Sequence, residues 1–102
     1  VTLQTEKRAL LTVITEAAIE QILLRDLERL GVRGYTVSDA RGRGSRGVRD
    51  AAWSEASNIR VEVICPRAQA EVLLEHVQAR YYRDYAMVAF LADIEILRPE
   101  KF

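Results

Sequence analysis

The sequence predicts an α+β fold: a four-stranded antiparallel sheet carrying two helices on one face. Three observations predict it. Four runs have strand patterning, and the first and last are apolar on both sides. Two intervening segments place apolar residues on one helical face. A long connection with no periodicity separates the second and third strands.

Each element has its own reason. Arg8 to Thr15 is a continuous apolar run with Ala9, Leu10, Leu11, Val13 and Ile14, the pattern of a buried central strand. Thr15 can cap the helix that follows, with Glu16 and Glu20 near its positive end. Ile19, Ile22, Leu23, Leu27 and Leu30 share one face of that helix. Arg25 and Arg29 lie toward its negative end, and Gly31 stands where a left-handed C-terminal cap belongs. The second strand runs from about Arg33 to Ala40, with Tyr35 and Val37 opposed to Thr36 and Ser38. The long connection covers residues 41–56. Asn58 to Cys65 alternates cleanly and is the third strand. Pro66 suits the first turn of a second helix, whose stripe is Ala70, Leu73, Leu74, Val77 and Tyr81. Tyr82-Arg83-Asp84-Tyr85 is a short connection, and the last strand runs from about Ala86 to Leu97, stopped by Pro99. The order βαββαβ with two amphipathic helices is the ferredoxin-like arrangement. Helices on one face leave the other face of the sheet bare. Because the first and last strands put hydrophobic residues there too, a homo-oligomer is expected.

Composition bounds the function. The 102 residues make one domain, 1–102, without an internal boundary. Fifteen Lys and Arg balance fifteen Asp and Glu, which argues against a general nucleic-acid or membrane binder. The single cysteine, Cys65, excludes an internal disulfide and suits the cytoplasm. The longest apolar stretch, Tyr85 to Ala92, has strand length and is far too short to insert in a membrane. No signal-peptide signature is visible.

Against that neutral background, Arg41-Gly42-Arg43-Gly44-Ser45-Arg46-Gly47-Val48-Arg49 holds four arginines and no acid. Glycine lets backbone N–H groups approach a ligand, and guanidinium forks match phosphate oxygens. The segment begins where a strand ends, a placement that fixes such donors. It therefore reads as an anion site; composition alone leaves a solvated hairpin tip as an equal alternative. No Walker loop or dinucleotide fingerprint is present. His76 reads as a neutral helix-surface residue, Cys65 has no partner at metal-ligand spacing, and Asp84 reads as a turn residue. Trp53 fits either a partner anchor or a residue folded onto the domain. No nucleophile, base and orienting acid are brought together, so no enzyme is expected. An RNA-binding ferredoxin-like domain would need stacking aromatics on strands one and three, and neither strand has one. A ligand-free interaction scaffold is the other alternative, and it leaves the arginine cluster unexplained.

Three motifs together resemble the PII signalling family. They are Gly31-Val32-Arg33-Gly34-Tyr35-Thr36-Val37, the Gly42-Arg43-Gly44-Ser45-Arg46 segment with Val48-Arg49 behind it, and Tyr81-Tyr82-Arg83-Asp84-Tyr85-Ala86. The likeness is greatest to the branch linked to inorganic carbon, which includes carboxysome-associated and bicarbonate-transporter-associated PII-like proteins. The resemblance implies a homotrimer with adenine nucleotide, ADP or AMP, in clefts between subunits, bicarbonate as a further candidate ligand, and no metal. By position, Tyr35 and Thr36 would meet the adenosine part. Gly42, Arg43, Gly44, Ser45 and Arg46 would hold phosphates, and Tyr85, Ala86 and Met87 would form the neighbouring subunit's wall. Residues 41–56 would be the T-loop, with Arg49 and Trp53 facing a partner, a bicarbonate transporter or carboxysome-associated protein. Two departures stand out. The family's glycine-rich B-loop is replaced by Tyr82-Arg83-Asp84-Tyr85, and the T-loop lacks the tyrosine that some PII proteins have uridylylated. With one cysteine, the C-terminal cysteine-pair switch of some relatives is not expected either.

Overall fold

The computed structural model describes residues 3–42 and 57–102. Strand β1 (Glu6–Glu16) leads through a 3-10 turn (Ala17–Ile19) into α1 (Glu20–Arg29), followed by β2 (Thr36–Ala40), β3 (Asn58–Cys65), α2 (Arg67–Tyr81) and β4 (Met87–Ile96). A last 3-10 turn spans Pro99–Lys101. The strands form one antiparallel sheet in the order β2-β3-β1-β4, the ferredoxin-like topology expected.

Register explains the division of faces. Leu11 lies opposite Val63 and Leu91, and Val13 opposite Val61 and Ala89. These residues point to the helices and pack on Leu23, Leu27, Ala70, Leu73, Val77 and Tyr81. The other face carries Leu10, Thr12 and Ile14 from β1, Arg60, Glu62 and Ile64 from β3, and Val88, Phe90, Ala92 and Ile94 from β4. Val88 and Phe90 remain exposed on it.

Some boundaries differ from the sequence reading. Thr15 does not cap α1. It is the penultimate residue of β1, buried, and its hydroxyl donates to the Ala86 carbonyl at 3.0 Å. Helix α1 starts at Glu20, so its buried face is Ile19, Leu23, Asp26 and Leu27, while Ile22 turns outward. Strand β2 begins at Thr36 rather than Arg33, and Tyr35 precedes it. Pro66 sits at the N-cap of α2, one position before its first turn.

Gly31 does what its position suggested. At φ 98 it closes α1 in the left-handed conformation. Its N–H donates to the Glu28 carbonyl and that of Val32 to the Leu27 carbonyl, at 3.1 and 3.0 Å, which is a Schellman cap. Val32 and Leu27 are both buried, the apolar contact that accompanies such a cap.

Candidate functional site

Two groups of the expected site residues are described, and they lie on different edges of the sheet. Thr36 opens β2 with Tyr35 just before it, and Gly42 follows its end at Ala40. Thr36 is exposed on the bare face opposite Glu62. The Tyr35 hydroxyl reaches the Glu28 carboxylate at 3.4 Å. Around Gly42 a Cβ would meet nothing within 4 Å, so nothing described in the chain hinders a ligand's approach to the backbone there. Arg43, Gly44, Ser45, Arg46, Arg49 and Trp53 lie outside the described residues.

Tyr85, Ala86 and Met87 lead into β4 at the opposite edge. The register places them at the same end of the sheet as Gly42, since Ala40 pairs with Asn58, Asn58 with Glu16, and the adjacent Thr15 with Met87. Three strand spacings, roughly 14 Å, separate the two edges. One chain therefore does not bring the two groups together.

The 82–86 loop has no glycine, and its shape comes from anchors. The Tyr81 carbonyl accepts from the N–H groups of Asp84 and Tyr85 at 3.1 and 3.0 Å. The Ala86 N–H donates to the Glu16 carboxylate at 2.8 Å, while its carbonyl accepts from Thr15. The Ala89 N–H donates to the Tyr82 hydroxyl at 2.9 Å. Thr15 and Glu16, read in the sequence as the start of a helix, instead hold this loop.

Sequence reasoning missed a buried acid. Asp26 is only 2% exposed and lies on the core side of α1. Its carboxylate accepts from the Tyr81 hydroxyl, lies 3.0 Å from Arg80 Nε and 3.3 Å from His76 Nε2, and is ion-paired with Arg29. His76 is thus part of a cluster and not merely a surface residue. The signal was present: an Asp at the next position of a stripe running Ile19, Leu23, Leu27 faces the core and requires partners. Burial pushes the Tyr81 phenol up from its ordinary value, with Arg80 acting the other way, which keeps the hydroxyl a donor.

Elsewhere, a depression of about 410 Å³ lies at the other end of the sheet, lined by Arg8, Arg33, Cys65 and Lys101 among others. Its Arg8 guanidinium is already engaged, donating to the carbonyls of Lys7, Pro99 and Phe102. Burial pushes the Cys65 thiol up, away from the reactive thiolate. Among the described residues no group of His, Cys, Asp and Glu forms a metal site, and no helix is long and apolar enough to cross a membrane.

A ferredoxin-like sheet with a partly apolar bare face, a Gly/Arg connection after β2 and anchored residues before β4 is the frame of a P-II-type regulator. The family model described as nitrogen regulatory protein P-II matches residues 8–101. A PII-like signalling protein from Thermus thermophilus is 36% identical, with a TM-score of 0.81 over 98% of this chain and 99% of that one. CPII of Thiomonas intermedia, a nitrogen regulatory PII-like protein, has been solved bound to ADP and bicarbonate. In that form it is 28% identical with a TM-score of 0.83 over 99% of each chain. Its complex with ADP, AMP and bicarbonate, also 28% identical, matches with a TM-score of 0.78 over 94% of this chain and 99% of that one. The chain belongs to the P-II family, whose members are regulatory signalling proteins and not enzymes.

Proposed function

We propose that this protein is a cytoplasmic sensor that binds ADP or AMP, together with bicarbonate, between the subunits of a homotrimer. The observation that carries the reading is the separation of the candidate residues. Tyr35, Thr36 and Gly42 lie along one edge of the sheet and Tyr85, Ala86 and Met87 on the other, with Gly42 and Met87 near the same end. A site using both groups needs the β4 edge of one copy beside the β2 edge of the next, a head-to-tail contact that closes into a ring. The bare face supports this, since most of its apolar residues lie on β1 and β4 and most of its polar ones, Thr36, Ser38, Arg60 and Glu62, on β2 and β3. The CPII complexes with ADP, AMP and bicarbonate supply the ligand chemistry.

In this reading Tyr35 and Thr36 meet the adenosine part. Gly42, Arg43, Gly44, Ser45 and Arg46 receive the phosphates through backbone N–H groups and charge-assisted hydrogen bonds. The neighbour's Tyr85, Ala86 and Met87 complete the cleft. The ligand favours one conformation of the 41–56 T-loop, which presents Arg49 and Trp53 to a partner. That partner belongs to inorganic-carbon uptake or fixation: a bicarbonate transporter or a carboxysome-associated protein.

Calorimetry against ADP, AMP, ATP and bicarbonate tests the ligand set. Loss of one charge-assisted phosphate contact costs on the order of 1.5–3 kcal/mol, so Arg46→Ala should weaken ADP binding by roughly tenfold or more. No binding of any adenine nucleotide refutes the sensor reading; an unchanged ADP affinity in Arg46→Ala refutes the role of Arg46.

A further inference from the structure

We propose that Asp26 is a positioning residue for the candidate nucleotide site: through the Tyr81 hydroxyl it fixes the start of the 82–86 loop. The proposal rests on the nucleotide reading of that site. Asp26 is buried on α1, and all its partners from α2 fall in the last turns of that helix: His76, Arg80 and Tyr81. A buried carboxylate is a costly way to join two helices, and apolar residues of similar volume hold helices together as well or better. What the carboxylate adds is a fixed position for the end of α2.

That position is transmitted directly. The same Tyr81 whose hydroxyl Asp26 holds accepts two loop N–H groups on its carbonyl, from Asp84 and Tyr85. Its ring also lies 6.0 Å from that of Tyr85, tilted by 54°. At the far end of the loop, Glu16 and Thr15 hold both backbone groups of Ala86. The segment is thus tied at Tyr81 and at Ala86, with Tyr85 between the ties. A wall fixed before the ligand arrives spares the ordering cost of binding.

Two variants of the full chain separate positioning from bulk stability. Tyr81→Phe keeps the ring and removes the bond; Asp26→Asn keeps an acceptor for the hydroxyl. ADP affinity is measured by calorimetry well below the unfolding midpoint of each variant, and amide hydrogen exchange is followed alongside. Tyr81→Phe should weaken ADP binding roughly five- to tenfold. It should also speed exchange at Asp84 and Tyr85 while leaving Leu11 and Val61 in the central strands unchanged. Asp26→Asn should lie closer to the parent in both measurements. Parental ADP affinity in Tyr81→Phe, or faster exchange spread evenly through the core, overturns the proposal. If the parent chain binds no ADP, the nucleotide reading fails and takes the ligand part of the proposal with it. The exchange result then decides by itself whether Asp26 holds the loop.

Discussion

Placing a carboxylate at Phe90 should dissolve the assembly and the ligand site together. Phe90 stands on the bare face opposite Thr12 and is 40% exposed. A phenylalanine has about 200 Å² to bury, so roughly 80 Å² is left for a neighbour to cover, about 2 kcal/mol per copy at 25 cal/mol per Å². A ring of three copies loses that contribution three times. Each Asp in its place adds the cost of a buried, unpaired charge, several kcal/mol. Because Phe90 lies outside the core cluster, Phe90→Asp should still fold, with an unchanged circular dichroism spectrum. Light scattering after size exclusion should find the parent near 35 kDa, about three copies of the 11.6 kDa chain, and the variant near the mass of one. ADP affinity should fall at least a hundredfold, since a site built from opposite sheet edges loses one of its walls. A variant that remains trimeric refutes the use of this face. A monomer that binds ADP as tightly as the parent refutes the two-copy site.

Other consequences are local. Gly31→Ala forces a side chain into the left-handed region at φ 98 and brings its Cβ to 3.4 Å from Gln69 Nε2. It should destabilise the fold by about 1–2 kcal/mol, a fall of several degrees in the midpoint measured by calorimetry. Cys65, buried and with its thiol pushed up, should resist Ellman's reagent in the native protein and react promptly in guanidinium. Burial also raises the Tyr81 phenol, so above the ordinary tyrosine range near pH ~10 the unfolded chain releases a proton that the folded chain keeps. Stability should therefore decline with rising pH through that range, and Tyr81→Phe should flatten the decline in denaturant titrations.

The features the sequence made legible were those with a strong period or a special backbone. Asn58–Cys65 alternates up to Val63 and forms a strand over the whole span, and Gly31 marks the end of α1. The start of α1 was not legible, because Thr15 and Glu16 satisfy local capping chemistry as well as they satisfy the Ala86 backbone. Only the pairing of β1 with β4 brings that backbone within reach. Asp26 was missed for a related reason. Its place on the stripe of Leu23 and Leu27 marks it as core-facing, but its partners His76 and Tyr81 are some fifty residues away on α2, and nothing local names them. The proposed site residues were named from the sequence, but the separation of Gly42 from Tyr85, Ala86 and Met87 over two sheet edges follows from strand order.

In the proposed two-copy site, that distribution would couple assembly to ligand binding. Along one bare face, β4 and β1 offer Val88, Phe90, Leu10 and Ile14 for burial, while β3 and β2 offer Arg60, Glu62, Ser38 and Thr36. A neighbour covering the apolar half brings its own edge toward the polar half, where an ion-paired Arg60 and Glu62 at 3.2 Å tolerate partial hydration. In such a ring the ligand touches both copies, so binding stabilises the contact and the contact raises the affinity by the same factor. Nucleotide added to a dilute solution should therefore raise the trimer fraction, and the size of that shift should follow the nucleotide's affinity. A trimer fraction that nucleotide leaves unchanged at concentrations where subunits exchange would separate assembly from sensing and place the ligand within a single chain.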